Sequence, residues 1–248
     1  MIRKLADRLA DVDLLAQAAE ILESQIQSRL KGVLKSTVGA RLAIVYLLAR
    51  RYDRALAALD ATNVRNEPAA LFTQRRHLRA RALMGLDQSE IALDVLKKDK
   101  STDAELLRAE LFWNGGDWNN ASRELRKILR ASGAKKNEPV NLEQAQKVLN
   151  YAIALTLSDN ERALARVRQD YGPAVQMTEF KDAFRLVSAP TALGLISPNS
   201  VSARVKLAEN FKTFMSEYKK RLQERGLSGI ISQEAAVSDR KKQVETQG

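Results

Sequence analysis

Apolar residues in this chain recur three and four positions apart, stretch after stretch, with short polar turns between the stretches. A period near 3.6 puts each set on one stripe of a helix, so the chain is constrained to a succession of amphipathic helices that cover one another. From Val12 to Leu30 the stripe is Leu15, Ala18, Ala19, Leu22, Ile26 and Leu30. Thr37 is placed to cap a second helix with Leu42, Val45, Tyr46 and Ala49 on its stripe, and Asp53 opens a third through Ala55, Leu56 and Leu59. Only Arg50, Arg51 and Tyr52 separate those two, the length of an αα-hairpin connection. The pattern returns as Leu78 to Leu86 with Glu90 to Leu96, and as Leu106 to Trp113 with Trp118 to Leu129 across Gly115, Gly116 and Asp117. A weaker copy joins Val148 to Leu157 with Glu161 to Val167 across Ser158, Asp159 and Asn160.

Composition agrees with an all-helical chain. Of 248 residues 45% are hydrophobic and 5% aromatic, with 11 Gly and 5 Pro, which supplies a core while disfavouring a β-sandwich, a collagen-like rod or disorder throughout. The chain has no Cys and one His, which removes disulfides, Cys-ligated metals and Cys/His nucleophilic pairs. Imidazole chemistry is confined to His77, which stands among Arg75, Arg76, Arg79 and Arg81 without a carboxylate to orient it, and is read as solvent-facing on a basic helix. Glu217 and Glu224, seven apart on one helix, match any solvated helix face, and Gly115-Gly116 fits a turn and precedes no Lys-Ser or Lys-Thr pair that would cradle phosphate. No catalysis, metal or cofactor is expected.

The formal charge is +11. It favours encounters with anionic partners without naming one, and no segment is a pure basic arm. Acids at Asp7, Asp11 and Asp13 interrupt the beginning of the chain where a secretory signal needs an apolar run. The longest apolar stretch, Leu42 to Ala49, falls far short of the roughly eighteen residues that span a bilayer. The chain is therefore read as soluble, with the cytoplasm favoured, and its opening inside a helical pattern fits a fragment of a longer chain as well.

Ala55, Ala92, Ala121 and Ala163 each follow a turn, and twelve residues before them stand Ala43, Ala80, Ala109 and Tyr151. With Tyr52-Asp53-Arg54-Ala55 and Phe112-Trp113-Asn114-Gly115-Gly116-Asp117-Trp118-Asn119-Asn120-Ala121, this pattern resembles the tetratricopeptide repeat over roughly residues 37 to 170. In that family an aromatic follows the hairpin turn, an Ala comes three residues later, and a small residue twelve positions earlier lets the two helices cross closely. The Ala spacings of 37, 29 and 42 depart from the family's period of about 34, so the copies are degenerate, with a loop from Ala131 to Leu142. Taken whole, the chain also resembles the C-terminal region of long bacterial tetratricopeptide-repeat proteins.

The resemblance implies an all-α superhelix, a right-handed solenoid of degenerate hairpins over residues 1–187. Beyond it, a linker is expected over 188–200, a long capping helix over 201–225 with Ala208, Phe211, Met215, Tyr218 and Leu222 on its seam, and a disordered tail over 226–248. It further implies a scaffold or adaptor that takes a peptide or helix of a partner protein, or of its own longer chain, in a concave groove lined by first helices. By the family pattern the groove residues are Ala40, Ile44 and Leu47, then His77, Arg81 and Met84, then Leu106, Glu110 and Trp113. The partner-binding set is His77, Arg81, Met84, Glu110 and Trp113, with a core position for Trp113 as the alternative. A family carboxylate clamp would need Lys and Asn where this chain has Ala40, Ile44 and Leu78, so chaperone tails are disfavoured. The second reading is a basic helical-repeat module that contacts nucleic acid phosphates. It is disfavoured because exposed aromatics are not interleaved with the charge, and Arg50, Arg51 and Arg54, like Arg75, Arg76 and Arg79, are read as solvated surface.

Overall fold

The computed structural model describes residues 2–28 and 30–188, and the expected linker, capping helix and tail lie outside the described residues save Ser188. Among the described residues there are eleven α-helices and no strand. They are α1 Ile2–Asp11, α2 Leu15–Ser28, α3 Gly32–Leu48, α4 Tyr52–Ala61, α5 Ala69–Gly85, α6 Ser89–Leu96, α7 Thr102–Asn114, α8 Trp118–Ala131, α9 Leu142–Leu157, α10 Glu161–Val175 and α11 Lys181–Ser188. Each helix packs on its sequence neighbours within two compact units, one running to Lys97 and one from Lys98. This is the neighbour-on-neighbour packing of an α-helical solenoid.

Five hairpins share one turn geometry. Asp13, Arg50, Asp87, Gly116 and Asp159 all adopt a left-handed backbone, with φ of 63°, 55°, 58°, 73° and 52°. At each, the next residue's N–H bonds back to the carbonyl five residues earlier: Leu14 to Leu9, Arg51 to Tyr46, Gln88 to Leu83, Asp117 to Phe112 and Asn160 to Leu155. That is the Schellman closure, which satisfies the last carbonyls of the first helix and reverses the chain within three residues. Four of the five positions lack the glycine that usually marks this geometry, and this is why the repeat is faint in the sequence.

Counting from the left-handed residue aligns the hairpins. Five positions on stand Ala18, Ala55, Ala92, Ala121 and Leu164; seven positions before it stand Ala6, Ala43, Ala80, Ala109 and Ala152. All ten are at most 1% exposed, the tight crossing that small side chains permit. Two readings of the sequence change. The first hairpin, α1 with α2, is a copy in its own right, and the last copy has Ala152 and Leu164 at the crossing in place of Tyr151 and Ala163. Thr37 also turns out to be interior to α3, its hydroxyl donating back to the Val33 carbonyl at 2.8 Å, so it is no cap.

In the first unit α3 is enclosed, with every residue from Val38 to Tyr46 buried. A helix that is apolar nearly all round belongs inside, which matches the longest apolar stretch of the sequence. Gly39 is required here, because a Cβ would overlap the side chain of Thr62, the residue that follows α4. The hub of the unit is Arg75. Its guanidinium donates to the carbonyls of Ser36 (2.8 Å) and Leu59 (2.5 Å) and to Thr62 Oγ1 (3.2 Å), and pairs with the Glu67 carboxylate at 3.1 Å. Ser36 Oγ donates to the same carboxylate. Arg75 and Glu67 side chains are 7% and 4% exposed, so the solvated-surface reading of Arg75 is overturned: it clamps α3, α4 and α5 together. Burial pulls its pKa below the ordinary arginine value, and Glu67 opposes that pull.

In the second unit α7 and α8 are joined through Trp113 and Trp118, edge to face with centroids 5.0 Å apart. Arg108 bonds the Glu124 carboxylate at 3.1 Å and the Asp99 carbonyl at 2.8 Å. Burial, then the nearby Glu124, raises the Glu105 pKa. The expected loop before α9 ends in a capping box of Asn141 and Gln144, and is tied to α10 by Asn137 N–H to the Asp170 carbonyl at 2.8 Å and by Lys136 to the Asp170 carboxylate, also at 2.8 Å. Ser188, the expected start of the linker, is the last residue of α11.

Candidate binding cleft

The first unit holds a cleft of about 300 Å³ between α2 and α4, floored by α3. Ile26, Leu42, Ala57, Ala58 and Ala61 form its apolar part, while Glu23, Gln27, Tyr46, Arg54 and Thr62 supply its polar groups. Its origin lies in departures from the repeat. Seven, eight and eleven positions past the left-handed turn residue, α4 has Ala57, Ala58 and Ala61. The other hairpins have Glu20, Ile21 and Ser24; Asp94, Val95 and Lys98; Arg123, Glu124 and Lys127; and Arg166, Val167 and Asp170. Every other described copy carries a larger side chain at each of these places, and the gap lies beside α4.

Tyr46 is a second departure. It is the carbonyl acceptor of the turn closure, where the other copies have Leu9, Leu83, Phe112 and Leu155. Its hydroxyl donates to Glu23 across the cleft, and the Arg54 guanidinium lies over its ring at 5.9 Å. Burial, reinforced by the Glu23 hydrogen bond, raises the Tyr46 pKa, and Arg54 works in the other direction. The phenol thus stays protonated and holds an acid and a base on opposite walls at one end of an apolar trough. Apolar walls with few convergent polar groups suit one bulky apolar side chain and an oriented polar neighbour.

The residues expected from the sequence are placed as follows. His77, Arg81 and Met84 are half-buried on α5 of the first unit; Glu110 and Trp113 are buried on α7 of the second, at 5% and 6% exposure. Trp113 accordingly takes the core position that was its alternative. Ala40 and Ile44 are buried as well, and Leu47 half-buried. None of these lines the cleft. The sequence reads Arg54 as solvated surface and gives no sign of Glu23 or the three alanines, because alanine in a helix carries no signal until the copies are aligned on a backbone angle. Among the described residues no group of three or more His, Asp or Glu could hold a metal ion, and no helix is long and apolar enough to cross a membrane.

The chain matches no protein-family model, and no curated protein and no solved structure is significantly similar to it.

Proposed function

We propose that this chain is a non-catalytic protein-interaction scaffold, built of degenerate tetratricopeptide-like hairpins, that takes a peptide or helix of a partner protein. The observation that carries this reading is the cleft between α2 and α4, opened by Ala57, Ala58 and Ala61 where every other copy has a larger side chain. The small-residue pairs twelve apart at four of the five crossings, with Ala152 opposite Leu164 at the fifth, support the family likeness. A nucleic acid partner is less well supported: Arg50, Arg51 and Arg54 are exposed, yet Tyr46 and Trp113 are buried and Tyr52 half-buried, leaving few aromatic faces for bases.

The test is a photo-crosslinking benzoylphenylalanine at Gln27, on the rim of the cleft, introduced in cells of the source organism. The expected result is a discrete protein adduct that survives nuclease and is lost when Ala57→Trp fills the cleft, with the helical melting curve retained. Recovery of nucleic acid alone, or an adduct pattern indifferent to Ala57→Trp, overturns the reading.

A further inference from the structure

A different surface lies at one end of the first unit. Thr62, at the C-terminal cap of α4, meets Gly39 of α3, Leu59 and Thr62 meet Arg75 of α5, and Tyr52 of α4 abuts Gly85 of α5. So α4 runs antiparallel to both α3 and α5, and the N-terminal turns of α3 and α5 emerge together. Three large apolar side chains stand exposed on those turns: Val33 (40%), Leu34 (52%) and Phe72 (55%). Exposed apolar residues scattered singly need no account, but these three share the leading turns of two adjoining helices.

The charge around this patch has one sign. Lys31 and Arg65 are exposed, and Lys35 and Arg76 half-exposed. The acids at the same end are already engaged, Glu67 buried against Arg75 and Ser36, and Asp60 paired with Arg79. Neither α3 nor α5 has a side-chain cap on its first turn, so both helix dipoles add positive potential there. An apolar patch within a positive rim complements a partner with an apolar anchor among acidic residues.

We infer that the N-terminal ends of α3 and α5 form a second docking surface, for an acidic peptide or helix whose apolar anchor seats on Val33, Leu34 and Phe72. A protein partner fits better than nucleic acid. Val33 and Leu34 are aliphatic and cannot stack on bases, and the Arg76 guanidinium already lies over the Phe72 ring at 5.5 Å. This inference does not depend on the cleft.

The probe is a random peptide library displayed on phage, panned on the full chain and depleted on the Phe72→Ser variant. Phe72 is exposed, so that variant is expected to keep its melting temperature. Peptides pairing a bulky apolar residue with flanking Asp or Glu are expected to enrich, and to lose at least about ten-fold in affinity on Phe72→Ser, the scale of a central anchor residue. Lys31→Glu with Arg65→Glu should shift the selected peptides toward Lys and Arg; an acid at the first turn of α3 is favoured by the helix dipole, so the fold is kept. No enrichment, enrichment without charge preference, or tighter binding of phosphatidylserine vesicles or single-stranded oligonucleotides than of the selected peptides would each overturn the proposal. Ala57→Trp should leave this binding unchanged, which separates its outcome from that of the cleft.

Discussion

At the scale of single residues, Arg75 ties α3 and the end of α4 to α5 in the first unit. A buried guanidinium is costly to desolvate, and it is retained here because four acceptors from three segments converge on it. Replacing Arg75 by Met leaves Glu67 buried with only the Ser36 hydroxyl, and should destabilise by about 3–5 kcal/mol, the penalty for breaking a buried ion pair from one side. Urea denaturation followed by circular dichroism checks this; a loss under about 1 kcal/mol would mean that water replaces the guanidinium. The sequence could not distinguish Arg75 from Arg76 or Arg79, since all three are alike in type and local spacing. What separates them is a set of partners at positions 36, 59, 62 and 67, which no helical periodicity records.

At the scale of elements, the hairpin is the unit, and its turn is conformationally stricter than its sequence suggests. Arg50 and Asp87 occupy a left-handed backbone that costs an L side chain roughly 1–2 kcal/mol, while glycine gives back part of that relief through greater unfolded-state freedom. Arg50→Gly and Asp87→Gly should each stabilise by about 0.5–1 kcal/mol, and Gly116→Ala should destabilise by a similar amount. Thermal melts of the three variants check the sign at each turn. The helices themselves were legible: the sequence pattern located α4, α6, α8 and α10 to within about three residues at their starts. Their first-helix partners start earlier than the sequence pattern shows, α5 at Ala69 where the apolar stripe begins at Leu78 and α9 at Leu142 where it begins at Val148, because the opening stretches bury only Leu71, Arg75 and Ala145 and so carry no apolar stripe.

At the scale of the whole molecule, the two compact units can be followed separately, since both tryptophans, Trp113 and Trp118, belong to the second. Tryptophan fluorescence therefore reports the second unit, whereas circular dichroism reports helices of both. Arg75→Met is expected to lower the dichroism midpoint in urea and leave the fluorescence midpoint in place; a joint shift would show that the units unfold as one. The sequence by itself determined that the chain is all helical, that its helices come as hairpins, and that small residues mark their crossings. These are local properties, carried by a 3.6-residue period and by pairs twelve apart within one hairpin. Tertiary structure alone decided that the described residues hold five copies, where the register of the copy at α9 and α10 falls, that Arg75 and Trp113 are interior, and that the cleft opens beside α4. The copies and their register rest on a backbone angle that the sequence marks with glycine at one turn of the five, the interior place of Arg75 rests on partners from the preceding hairpin, and a gap left by three alanines exists only relative to the neighbour that they do not reach.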